Sequence, residues 1–281
     1  MSADLTIVLP TYNRRHVLER SIGSYLALAQ TWPLLVVDDG SRDGTADWLA
    51  GMGVNVLRLP HGGLPAARNA GLRTATTPWV LFGEDDVLIS TEVPAHLLAW
   101  AGRLRLCAAI AGPLYAGDSW TIPGQEPAPT AGPLIDGQSL RIDGAAGPKR
   151  AIPMPSLHAC ALVDRRAALA VGGYDPRFAG SHFREESDLY ARLWRSGRSC
   201  WLVPGAWAVH VRHRLGGGCR GRRGLGALFA NRLSYLGNDA GFAARHLRMW
   251  RVWAGGPQPG GHTAAAALRL LLNLCRQALG R

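Results

Sequence analysis

The chain has 281 residues, 47% of them hydrophobic, with a formal net charge of +11 and a mean hydropathy of zero. That supplies core enough for one large domain or two modest ones, and no stretch reaches the roughly 18 uninterrupted apolar residues of a membrane span. Cys107, Cys160, Cys200, Cys219 and Cys275 are odd in number and lack paired spacing, which argues against a disulfide framework or zinc ribbon and for a reducing, cytoplasmic compartment.

The opening "MSADLTIVLP" enters a strand pattern directly, without the apolar region and cleavage site of a secretory leader. "LTIVLP" (5–10) is a short apolar run. The following segment places Leu18, Ile22, Tyr25 and Ala29 on one helical face. "LLVVDDG" (34–40), "VNVLRLP" (54–60) and "PWVLFGEDD" (78–86) read as further buried strands, separated by the helical "SRDGTADWLAGM" and "LPAARNAGL". Continuous Val, Ile and Leu runs between helices are buried on both faces, which predicts a mostly parallel central sheet built from βαβ units.

Residues 112–155, rich in Gly, Pro, Asp and Ser, lack periodicity and read as a long flexible loop or a functional lid. "LHACALVD" returns as a strand. "EESDLYARLWRSG" is a helix with acids in its first turn, arginine in its last and a glycine stop. "CWLVPGAWAVHV" reads as two short strands or one bent at Pro204-Gly205. Beyond residue 215 a basic glycine-rich linker precedes helical segments over 225–254, a "GGPQPGG" break and an amphipathic last helix with Leu268, Leu271, Leu272, Cys275 and Leu279 on one face. That helix packs on its own domain or lies on an anionic membrane surface as a peripheral contact. Trp250, Trp253 and the last helix suit an apolar acceptor as well as simple packing.

The positive charge comes from arginine, Lys149 being the single lysine, so its plainest reading is a solvated arginine surface. Polar clusters nevertheless fall where strands end: Thr11-Tyr12-Asn13, Asp38-Asp39 and Glu84-Asp85-Asp86. Acids in "DDGS" and "RDGT" often only cap turns. Three clusters on successive strand tips, where α/β sheets bind ligands, converge on one crevice.

"TIVLPTYNR", "LLVVDDGSRDGT", "LPAARNAGL" and "WVLFGEDDV", in this order, resemble the nucleotide-sugar half of family 2 glycosyltransferases of the GT-A fold. "VGGYDPRF", "FREESDLYARLWRSG" and "VPGAWAVHV" look like that family's acceptor half, so the likeness covers roughly residues 5–213. It implies a Rossmann-like GT-A catalytic domain over 1–214, divided at 111 and 155, with a basic linker and helical extension over 215–281. It also implies an inverting transfer from a UDP- or dTDP-sugar to a hydroxyl or amine, in natural-product or cell-envelope glycoside formation. The acceptor would be a small molecule or lipid-linked.

The resemblance also assigns roles. Asp39 would accept the N–H of a pyrimidine base, with Pro10, Thr11 and Tyr12 as a wall of its pocket and Arg68 reaching the base or the diphosphate. Glu84-Asp85-Asp86 matches the DXD motif. Asp86 would bind Mg²⁺ or Mn²⁺, and Glu84 or Asp85 the ribose hydroxyls. His210, with His213 as fallback, would complete the metal ligands. Glu186 would be the general base with Glu185 as second choice; at 84 and 186 this chain carries Glu where the family usually has Asp. Met154, Ser156, His158 and Asp188 would lie near the acceptor, although structural hydrogen bonds within the helix start suit Asp188 better. The rival readings are a non-catalytic nucleotide-sugar-binding protein of the same fold and a nucleic-acid-binding protein. The latter lacks aromatic-flanked basic motifs.

Overall fold

The computed structural model describes residues 4–129, 135–136, 141–142, 145, 147–211 and 225–253. In chain order the elements are β1 (Leu5–Thr11), α1 (Arg15–Leu28), β2 (Leu34–Asp38), α2 (Thr45–Gly51), β3 (Asn55–Arg58), α3 (Leu64–Thr74) and β4 (Trp79–Phe82). Then come β5 (Val87–Ile89), α4 (Val93–Ala101), β6 (Cys107–Ala111), β7 (Leu114–Gly117), β8 (Ile135–Asp136), β9 (Arg141–Ile142) and β10 (Ile152–Pro153). The described chain closes with β11 (Leu162–Asp164), α5 (Arg165–Ala170), α6 (Glu185–Arg195), β12 (Ser199–Leu202), β13 (Ala208–Val211) and α7 (Leu225–Trp253).

The main sheet has the order β10-β12-β6-β11-β4-β1-β2-β3. The part built from the first four strands, β4-β1-β2-β3, is wholly parallel, as expected from the apolar runs. β11 then enters antiparallel between β4 and β6. Every residue of β1 and β2 is buried, so helices cover both faces. Val8, Val37 and Phe82 pack with Ala67 and Leu72 of α3 and with Leu189 and Leu193 of α6. Ile7 and Leu9 pack on the other face with Leu18, Ile22 and Tyr25 of α1 and Leu97 of α4. Strand alternation thus divides one strand between two cores.

Four local expectations change. Leu28, rather than Ala29, completes the buried face of α1, because the helix ends there and Ala29 is its exposed cap. β3 is the sheet edge rather than a buried strand, with Asn55 and Arg58 exposed. Residues 112–155 are not one long loop: they contain β7, the antiparallel pair β8–β9, and β10. The fourth strand does not run through to Asp86. It ends at Phe82, and the chain turns at Gly83 to begin β5 in a second sheet of order β5-β13-β7.

The break lies against a buried aromatic ring. A Cβ built on Gly83 would lie 2.6 Å from the ring of buried Tyr25. With no Cβ there, the Tyr25 hydroxyl reaches the next residue, donating to the Glu84 carbonyl at 2.8 Å and accepting from its N–H at 3.1 Å. Gly83→Ala is expected to cost about 1–3 kcal/mol, typical of overpacking. The thermal midpoint should fall by several degrees; an unchanged midpoint would refute this packing argument.

Candidate functional site

The turn after β1 is tied to the turn after β2. Asn13 adopts a left-handed conformation (φ 50°), a region that Asn tolerates better than most residues. Its N–H donates to Ser41 Oγ at 2.8 Å, and its side-chain oxygen accepts from Arg42 N–H at 2.7 Å. Asp38, fully buried, accepts from Ser41 N–H at 2.9 Å and so serves the turn. Asp39 instead faces the loop before α3. Its carboxylate accepts from Gly62 N–H (2.9 Å), Gly63 N–H (2.8 Å) and His61 Nδ1 (2.8 Å). Tyr12 stacks on the same imidazole, with ring centroids 4.0 Å apart.

The acid stretch is held from α1 and β1. Ser21 Oγ donates to the Asp85 carbonyl at 2.6 Å, and Thr11 Oγ1 to Asp85 Oδ2 at 3.1 Å. Arg14, at the cap of α1, spans both aspartates: Nη1 lies 2.8 Å from Asp85 Oδ1 and Nη2 2.8 Å from Asp86 Oδ2. His210 meets Asp86 from β13, its Nε2 3.4 Å from Oδ1. This pairing follows from register, since His210 is opposite Val87 and Val211 N–H donates to the Asp86 carbonyl at 2.8 Å. Burial lifts the Asp85 carboxyl above its ordinary value despite Arg14. Burial also opposes charge on Asp86, but His210 and Arg14 outweigh it and hold that carboxyl below the usual range.

Behind this stretch lies Arg68, 1% exposed. Its Nη1 is hydrogen-bonded to Glu185 Oε1, and its Nη2 lies 3.2 Å from Glu84 Oε1. The guanidinium also lies 5.4 Å from the Tyr174 ring centroid. Burial pushes Glu185 up to about 8 against the pull of Arg68, and burial likewise raises Glu186. A 270 Å³ cavity opens here, lined by Arg68, Glu84, Glu185 and Glu186, by Leu64, Leu114, His158, Ala159, Ser181 and His182, and by the stacked Phe183 and Tyr235. The carboxylates can accept hydrogen bonds from hydroxyls, and Phe183 and Tyr235 offer apolar surface.

The glycosyl transferase family 2 model matches residues 6–150, which run from β1 through β9 and contain the whole acid stretch. The chain belongs to that family. It is similar to the succinoglycan biosynthesis protein ExoW of Rhizobium meliloti, 36% identical over 106 residues, 34% of this chain and 32% of that protein. A longer match, 28% identical over 258 residues, covers 86% of this chain and 48% of the pre-mycofactocin glycosyltransferase of Mycobacterium tuberculosis. The chain therefore spans about half the length, or less, of these curated relatives. Among solved structures, the mannosyltransferase PcManGT from Pyrobaculum calidifontis, in complex with GDP-Man and Mn²⁺, superposes with a TM-score of 0.62 at 16% identity, covering 100% of this chain and 76% of that one. Staphylococcus aureus TarS in complex with UDP-GlcNAc gives 0.57 at 15% identity, covering 98% and 81%. At these identities the likeness establishes the GT-A fold.

In this family 2 chain, Glu84, Glu185, Glu186, Arg68 and His158 share the cavity, while Asp86, in the turn before β5, faces His210 of β13. Pro10 and Thr11 are buried at the tip of β1, with Tyr12 beside Asp39 through His61. Met154 and Ser156, each 1% exposed, are buried and outside the cavity lining. Asp188 also turns away from it: its carboxylate is taken by Arg192 (2.8 Å), Arg245 (2.8 Å) and His246 (2.9 Å), the last two from α7. His213, the linker over 215–224 and the last amphipathic helix lie outside the described residues. Among the described residues no helix is long and apolar enough to cross a membrane.

Arg14 and His61 carry polar contacts that the sequence reading missed. Arg14 stood in the quoted "TYNR", and its signal was a cation one residue past a strand-tip turn. His61 had only its place before Gly62-Gly63. Tyr235 gave no local signal, because only the docking of α7 brings it to the cavity.

His158 has a fixed tautomer. Its Nε2 lies 2.7 Å from the Gly112 carbonyl, an acceptor, so the proton sits on Nε2. Burial holds the imidazole neutral, its pKa down to about 4. As pH falls the unfolded chain, titrating near 6.5, takes the proton first, so stability is lost between about 6.5 and 4, by on the order of 3 kcal/mol. Denaturant titrations at pH 7 and pH 5 should show this loss in the wild type and a smaller one in His158→Gln. Equal losses would refute the assignment.

Proposed function

We propose that the chain is an inverting glycosyltransferase that moves a sugar from a nucleoside diphosphate donor, a UDP- or dTDP-sugar, to a hydroxyl or amine of a small-molecule or lipid-linked acceptor. The observation that carries the reading is the convergence of Glu84, Arg68, Glu185 and Glu186 on one cavity beside the Asp86–His210 pair.

Asp39 serves the base. An ionised carboxylate offers about four acceptor sites, and Gly62, Gly63 and His61 take three, which leaves one for a base N–H. Tyr12 stacked on His61 supplies a flat surface next to it. Glu84, on the loop after β4, accepts hydrogen bonds from ribose hydroxyls, and Arg68 holds it in place.

Mg²⁺ or Mn²⁺ fits the other end of the acid stretch. Among the described residues no three His, Cys, Asp or Glu side chains gather as a closed metal cage. Asp86 and His210, however, present a carboxylate oxygen and a ring nitrogen to each other. One or two protein ligands completed by substrate phosphates and water are how such cations are commonly held in nucleotide enzymes. Bound there, the cation would supply Lewis-acid stabilisation of the departing diphosphate.

Glu186 takes the proton of the acceptor as the nucleophile approaches the anomeric carbon from the side opposite the diphosphate. Glu185 is less suited, because its Oε1 is committed to Arg68. Glu185 therefore acts as a positioning residue that fixes Arg68. The Phe183–Tyr235 pair offers the acceptor an apolar wall and helps to exclude water that would hydrolyse the donor. The folded unit that does this comprises the GT-A domain over 1–214, with α7 of the 215–281 extension closing the acceptor side.

Calorimetric titration of nucleoside diphosphates should show binding that strengthens with Mn²⁺ and loses that increment in Asp86→Asn. No metal-dependent binding of any nucleotide would refute the assignment of the acid stretch. With a matched donor and acceptor, Glu186→Gln should lower kcat about a hundred- to ten-thousand-fold with little change in KM. Because burial raises the Glu186 carboxyl and the base must be ionised, activity should rise with pH through a limb above the ordinary glutamate value. The variant should lack this limb. Donor binding with undiminished turnover in Glu186→Gln would place the base elsewhere, and binding without turnover in the wild type would favour a non-catalytic sugar-nucleotide receptor.

A further inference from the structure

Arg14 is more tightly engaged with the acid stretch than a helix-capping residue requires. Its two terminal nitrogens each lie 2.8 Å from a different carboxylate, one on Asp85 and one on Asp86. The pair is poorly solvated, the side chains of Arg14 and Asp86 being 13% exposed and that of Asp85 6%. The backbone that carries Arg14 is held in place, since Asn13 at φ 50° leads the chain into α1 and is anchored to Ser41 and Arg42. On the far side of the acids, Thr11 holds the second oxygen of Asp85 and His210 faces the second oxygen of Asp86. The Asp86 carboxylate is thus divided: Oδ2 belongs to Arg14, and Oδ1 to the side where His210 stands.

We propose that Arg14 is a counter-ion latch, a built-in cation that balances Asp85 and Asp86 while no diphosphate is bound and so keeps a divalent cation from binding by itself. This rests on the reading of Asp86 and His210 as metal ligands. A divalent cation at Oδ1 would share one carboxylate with a permanent guanidinium charge, and like charges held this close in a poorly solvated site repel. Arrival of the diphosphate reverses the balance. Its negative charge offsets both cations, and the guanidinium fork matches phosphate oxygens as well as it matches carboxylates. Metal and donor then bind together, and the empty site is spared a tightly held metal that would have to be released or rearranged for each donor.

The test follows Mn²⁺ by the electron paramagnetic resonance signal of the free ion, with the wild type and Arg14→Gln, first without nucleotide and then with UDP, dTDP or GDP. Mn²⁺ alone should bind Arg14→Gln at least tenfold more tightly than the wild type, and the gain on adding nucleotide should shrink in the variant. In the double variant Arg14→Gln/Asp86→Asn the new affinity should vanish. Equal Mn²⁺ affinity in wild type and a folded Arg14→Gln overturns the latch, as does an increase that survives Asp86→Asn. Should Arg14→Gln fail to fold, Arg14→Met carries the test, since it removes the charge while keeping a side chain of similar length; a gain of at least tenfold supports the latch and no gain overturns it. Mn²⁺ bound by no form under any nucleotide would instead bring down the metal reading on which the latch rests, and the latch with it.

Discussion

Burial of Arg68 links the two halves of the molecule through one guanidinium. A charge removed from water in this way is costly unless well paired. Here the pairing comes from Glu185 at the start of α6 and from Glu84 beyond the tip of β4, with Phe82 and Tyr174 around the cation. These groups come from segments more than a hundred residues apart, so the pair can be satisfied only when the nucleotide half and the later half are docked correctly. Loss of Arg68 or Glu185, each 1% exposed, leaves its partner buried with its main counter-charge gone. The interaction thus buys geometry: it sets Glu84 and the first turn of α6 on the two terminal nitrogens of one guanidinium, in the lining of one cavity.

The same logic recurs outward from that centre. Arg14 pairs with Asp85 and Asp86, Arg184 with Asp239, and Arg192 and Arg245 with Asp188. The excess of arginine was read as a solvated surface, and many arginines are exposed, but Arg68 and Arg184 are 1% and 3% exposed. A planar fork of donors tolerates burial against a carboxylate better than an ammonium does, which is why these positions suit arginine. The Asp188 cluster also explains why an acid expected near the acceptor is absent from the cavity. It anchors α7, and through α7 it brings Tyr235 into the cavity lining.

Much of the fold was legible along the chain. The apolar runs of β1, β2 and β4, the periodicity of α1 and the charged ends and glycine stop of α6 reflect requirements that each segment must meet by itself. The antiparallel entry of β11 and the edge position of β3 were not legible, because they depend on which strand finds which neighbour. At the site, the strand-tip acids stood out because their cost demands a partner. Arg14, His61 and Tyr235 did not, because each takes its place through a contact made at a distance.

The sequence by itself determined the alternation of strands and helices, the clustering of acids at strand ends and the family to which the chain belongs, since all of these are written in local residue types and their order. Only the tertiary structure decided that the acid strand breaks at Gly83, where the Tyr25 ring leaves no room for a Cβ. It also decided that His210 stands opposite Val87 and hence beside Asp86, and that Arg68 faces Glu185 rather than solvent. Register, close approach and the pairing of buried charge are properties of segments brought together, and no stretch of chain contains them alone.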